Sequence, residues 1–129
     1  MKSIIVSAAI ILFLSSVPAM SEEWYRSYMK GTEAVEKNKC DEGEPLLSQA
    51  LAKNPEENLK ARPYGTFVLE YIPNYYLARC AFQKEDYAGA KKLIDLASAS
   101  GAGRSSKSGE FIVLRNRILS KLKEAQDSQ

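Results

Sequence analysis

The chain has 129 residues, 45% of them hydrophobic and 26% charged, with a formal net charge of +2. That balance belongs to one ordinary globular domain and excludes a disordered or collagen-like chain; a mean hydropathy of −0.31 excludes a polytopic membrane protein. Histidine is absent and cysteine occurs twice, which removes histidine acid–base chemistry, Ser-His and Cys-His nucleophile pairs, histidine metal ligation and four-cysteine zinc sites.

Met1-Lys2 is followed by an almost wholly apolar run from Ile4 to Val17, then by Pro18-Ala19-Met20-Ser21. A run of about 14 residues is short for a hydrocarbon core that takes roughly 20. With small residues after it, the pattern predicts a signal peptide over 1–19, cut after Ala19 or Ser21. The expected location is periplasmic or secreted, with no stable membrane insertion once the leader is gone. Cleavage after Ala19 removes Lys2 and leaves 110 residues at +1. So weak a charge gives no global pull on nucleic acid or anionic lipid. An oxidising compartment permits a Cys40–Cys80 disulfide, which would close a 40-residue separation. Two buried free thiols remain the alternative.

Residues 22–39 place Trp24, Tyr28, Gly31, Ala34 and Val35 at helical spacing, with Ser21 as N-cap and Asn38 as the stop. Residues 41–53 follow with Leu46, Leu47, Ala50 and Leu51 on one face, Pro45 near the start and Asn54-Pro55 as the end. So short a connection makes the two helices antiparallel. Residues 56–73 hold Pro63, Gly65 and Pro73 among Tyr64, Phe67, Val68, Leu69, Tyr71 and Ile72. So apolar an insert must fold back on the helices. We expect it to be partly helical from about Gly65 and bent at Pro73. Residues 74–84 carry Leu77, Ala78, Ala81 and Phe82 in helical register. Asp86 caps a helix over 87–99 with Ala90, Leu93, Ile94 and Ala97 inward. Residues 101–109 read as a flexible Gly/Ser linker without the Gly-Lys of a phosphate loop. A last helix over 110–126 has the stripe Phe111, Leu114, Ile118 and Leu122. Its cations Arg115, Arg117, Lys121 and Lys123, with Arg104 and Lys107 before it, lack interleaved aromatics and read as a solvated face.

Leu77-Ala78, Ala81-Phe82, Glu85-Asp86-Tyr87, Ala90 and Ala97 resemble the tetratricopeptide repeat. Glu85 stands where that family usually has glycine. Gly31, Gly43, Leu47, Ala50 and Pro55 fit a first repeat, with Ala34 at a usual aromatic position. The anchors Gly31 and Ala78 lie 47 residues apart rather than about 34, so an insertion separates the repeats. Tyr71-Ile72-Pro73-Asn74-Tyr75 is similar to the entry into a repeat helix in exported bacterial tetratricopeptide proteins, which implies a scaffold or adaptor. The resemblance implies an all-α, right-handed solenoid of about two hairpins over 22–126. The hairpins are placed at about 22–54 and 65–100, with a capping helix at about 110–126. It also places Tyr25, Tyr28, Thr32 and Glu36 from the first repeat on a concave face, with Tyr75, Arg79 and Phe82 from the second.

These residue types suit a groove for a peptide or partner helix, Arg79 pairing a carboxylate. The alternative is that the 56–73 insert fills that face. The expected function is protein–protein interaction without catalysis, cofactor or metal. The competing reading is a structural subunit that self-associates through the capping helix or joins an envelope assembly.

Overall fold

The computed structural model describes residues 23–128. The leader over 1–19, both cleavage positions and the Ser21 cap lie outside the described residues. The described chain is mostly helical, in the order α1 (Trp24–Glu36), α2 (Cys40–Lys53), β1 (Asn58–Ala61), β2 (Leu69–Tyr71), α3 (Pro73–Gln83), α4 (Tyr87–Ala99) and α5 (Ser108–Asp127).

Small residues let α1 and α2 meet closely. A Cβ on Gly31 would lie 2.9 Å from Leu47 Cγ, and one on Gly43 would lie 2.9 Å from the Gly31 carbonyl oxygen. Gly43 also faces Val35. Moving four residues forward on α1 therefore means moving four back on α2, the register of an antiparallel pair. The turn between them puts Asn38 in the left-handed region at φ 61°. Asn38 N donates to Val35 O and Lys39 N to Ala34 O, which satisfies the last carbonyls of α1.

The α3–α4 pair repeats this design 47 residues later. Glu85 is left-handed at φ 64°, Glu85 N donates to Phe82 O and Asp86 N to Ala81 O. Glu85 thus takes the strained position that glycine fills most easily. Asp86 caps α4 by accepting from Gly89 N at 3.0 Å. The pairs Tyr28/Tyr75, Ala34/Ala81, Leu47/Ile94 and Ala50/Ala97 are equivalent in register, and both members of each are buried. A disulfide joins Cys40 at the start of α2 to Cys80 in α3, with Cα atoms 5.6 Å apart.

The insert corrects one expectation. It is a β-hairpin, with Asn58 opposite Tyr71, Ala61 opposite Leu69 and an irregularity between Asn58 and Ala61. Along β1, Leu59 and Ala61 alternate with exposed Asn58 and Lys60, while in β2 Leu69 and Glu70 are half-buried and Tyr71 is buried. The surface of α1, with Tyr28 bonded to the Glu70 carbonyl and Trp24 against Tyr71, selects strand over helix for these short apolar segments. Pro73 does not bend a helix; it opens α3 as its first residue, where its missing N–H costs nothing. The second hairpin accordingly starts at residue 73 rather than 65.

The 101–109 linker is also more ordered than its composition suggests. Ala102–Arg104 forms a 3-10 turn, and Ala102 and Ser105 are buried. Ser106 N donates to Glu70 Oε2 at 2.9 Å, and Ser106 Oγ donates to Glu70 Oε1. These bonds clasp the linker to β2. Small and hydroxylated residues here bury cheaply and satisfy one another, instead of solvating a free chain. α5 then packs Phe111, Leu114 and Ile118 inward, against α4, α3 and the turn.

Candidate functional site

A groove runs along α5, with α3 as its other wall. Its first part, about 590 Å³, is lined by Glu36, Tyr75, Arg79, Lys107, Glu110, Val113, Leu114 and Arg117. Its second, about 530 Å³, shares Val113 and Arg117 and adds Phe82, Asn116, Ser120 and Lys121. Helical spacing explains the α5 wall: Val113, Arg117 and Lys121 are four apart and lie beside the buried stripe.

Arg79 organises the groove's upper end. Its guanidinium lies 5.9 Å from the Tyr75 ring and 5.8 Å from the Tyr76 ring, and donates to Glu36 at 2.8 Å. Lys107 reaches the same carboxylate at 3.6 Å. Burial pushes the Tyr76 phenol up to about 12, so it stays neutral beside them. Arg117 has no carboxylate partner among the described residues, and Lys121 reaches only Glu124, at 3.4 Å. Counting side chains along the groove, four cations face Glu36 and Glu110.

The expected concave residues are only partly united here. Glu36, Tyr75, Arg79 and Phe82 share the groove, but Tyr75 is 1% exposed and forms its floor. Tyr28 is buried and belongs to the core. Its hydroxyl donates to Glu70 O at 2.7 Å and accepts from Ile72 N at 3.2 Å. Packing consumes both tyrosines expected on the partner-binding face, so neither ring is offered to a partner. Thr32 lines a separate cleft with Met29, Leu69 and Tyr76. Tyr25 lies at the far end of α1, against Tyr64 at 5.3 Å. The hairpin insert does not line the groove; it packs beside α1. The α5 wall was missed because its cations read as a solvated face. Their signal is the spacing of Val113, Arg117 and Lys121 next to the apolar stripe.

One carboxyl away from the groove is unusual. Glu57 is half-buried; its Oε1 accepts from Asn74 Nδ2, while Oε2 is buried and has no hydrogen-bond partner among the described residues. Desolvation pushes its pKa from 4.5 up to about 7, against the opposing bonds from Asn74. A carboxyl with a raised folded pKa binds its proton more tightly in the folded state. Its contribution is therefore fullest below pH 4.5 and is lost as pH rises to about 7. Solvent screening of this half-buried group reduces the effect to about 1–2 kcal/mol. Urea midpoints across that window should fall with rising pH, and Glu57→Gln should flatten this part of the slope. An unchanged slope in the variant excludes Glu57 as the source.

Among the described residues, no group of three or more Cys, Asp or Glu side chains is placed to hold a metal ion, and no helix is long and apolar enough to cross a membrane. Comparisons with protein-family models, curated proteins and solved structures returned no match.

Proposed function

We propose that this chain is an exported tetratricopeptide-like interaction module, without catalytic activity, that takes an acidic peptide or protein segment in the α3–α5 groove. The observation that carries this reading is the groove itself. It is an open channel with Phe82, Val113 and Leu114 along it and four cations against two carboxylates. Apolar side chains supply contact area, and the excess of cations, with Arg117 lacking an internal partner, selects a negative partner. The repeat at an offset of 47 residues supports the solenoid part, since stacked hairpins place their first helices along one face. Export rests on the composition of residues 1–21.

Arg117→Glu reverses the one groove guanidinium without an internal partner. With the partner identified by co-purification, we expect about tenfold weaker binding or more by calorimetry. Arg79→Glu should weaken it too, with helicity unchanged by circular dichroism. Unchanged affinity in both variants rules out this groove. Tyr75→Ala is unsuitable as a test, because it opens the core.

A second reading has its own observation. Ile112, Val113 and Leu119 on α5 are 52%, 51% and 40% exposed, which suits self-association through that helix. Sedimentation separates the two: a monomer at roughly tens of micromolar excludes the self-associating subunit.

A further inference from the structure

We propose that the corner formed by the first turn of α1 and the tip of the β-hairpin rests on an anionic phospholipid surface. Hairpin tips are normally polar. This one carries Tyr64, Phe67 and Val68, with Tyr64 58% and Val68 50% exposed. Tyr64 stacks on Phe67 with centroids 5.4 Å apart and planes 12° from parallel. Tyr25 leans on Tyr64 at 5.3 Å, and Trp24 meets Tyr25 edge-on at 5.8 Å. Two segments distant in sequence thus build one rim of three rings, backed by Trp24, which also packs on buried Tyr71 at 4.7 Å. Tyrosine and tryptophan, each with an apolar body and a polar edge, settle at the headgroup level of a bilayer.

Charge and position point to the same partner. Arg26 lies 6.0 Å from the Tyr25 ring. Lys60 and Arg62 are exposed on the hairpin. Among the described residues, Glu23 is the carboxylate beside Tyr25. A positive rim with aromatic residues complements anionic headgroups. The apolar run Ile4–Val17 ends seven residues before Trp24, a step that reaches at most about 24 Å. In sequence, the rim thus lies close to the most apolar stretch of the chain. The groove is independent of this surface. Its α1 residue is Glu36, at the opposite end of that helix from Trp24, so failure of either reading leaves the other standing.

Trp24 is the chain's only tryptophan and reports from the rim. The test uses the full chain with vesicles of phosphatidylcholine alone, or with roughly a quarter phosphatidylglycerol, doped with lipid brominated near the headgroup. The parent is compared with a Tyr64→Ser/Phe67→Ser variant. Both keep residues 1–22, so any tether is the same. In anionic vesicles we expect Trp24 quenching to be about threefold weaker in the variant, and the parent to be quenched less by neutral vesicles. Equal quenching of parent and variant, including none in either, overturns the proposal. Equal quenching of the parent in neutral and anionic vesicles overturns it as well. Circular dichroism confirms that the variant is folded, and Val68→Ser serves in its place where it is not.

Discussion

Replacing Cys40 and Cys80 together by alanine is expected to lower the unfolding free energy by about 3–4 kcal/mol. The bond closes a separation of 40 residues. In the chain-entropy account, freeing a loop of that length returns roughly this much to the unfolded state. The Cα separation of 5.6 Å lies inside the ordinary disulfide range. The position matters as much as the loop. Cys40 opens α2 in the first helical pair and Cys80 lies in α3 of the second, so the bond staples one pair to the other. Urea unfolding of the double variant and of the reduced parent should show the same loss and a fall in Tm of roughly 15 °C. A loss below about 1 kcal/mol refutes the staple.

Tyr28→Phe is expected to cost about 2–3 kcal/mol while leaving the core filled. The ring stays, packed 4.9 Å from Tyr71 and 6.1 Å from Tyr76. What goes is one hydroxyl with two partners, the Glu70 carbonyl and the Ile72 amide. Those backbone groups flank Tyr71 where β2 passes into α3. Ile72 is 1% exposed, so its amide would be left buried without its acceptor, a costlier state than a bond exchanged with water. Burial also raises the Tyr28 phenol well above its ordinary range, so it remains a donor at all working pH values. Guanidinium unfolding of parent and variant measures the difference. A cost under about 0.5 kcal/mol means the hydroxyl does not tie α1 to the hairpin.

The groove and the rim differ in how far side-chain pattern reveals them. Arg79 is recognisable because it falls on a helix face with tyrosines one turn back, and the structure stacks it on two of them. Its engagement with Glu36 joins residues 43 positions apart. No local periodicity encodes that pair. The rim is less legible still, because it needs α1 and the hairpin tip to meet, and the tip lies in the segment read as partly helical.

Local periodicity was enough to establish the helices and their pairing. Tyr87–Ala99, the Asp86 cap, the Asn38 stop and the buried stripe of α5 all follow from residues within a few turns of one another. The 47-residue offset was legible for the same reason, since small residues at fixed spacing set how closely two helices approach. Tertiary structure alone decided the path of residues 56–73, the order of residues 101–109, and which aromatic rings are spent on the core. Those outcomes depend on partners distant in the chain: Tyr71 with Trp24 and Asn54, Ser106 with Glu70, and Cys40 with Cys80. Short apolar segments pack equally well as helix or strand until a neighbouring surface selects one. Here that surface is α1, which offers Tyr28 and Trp24 to the hairpin.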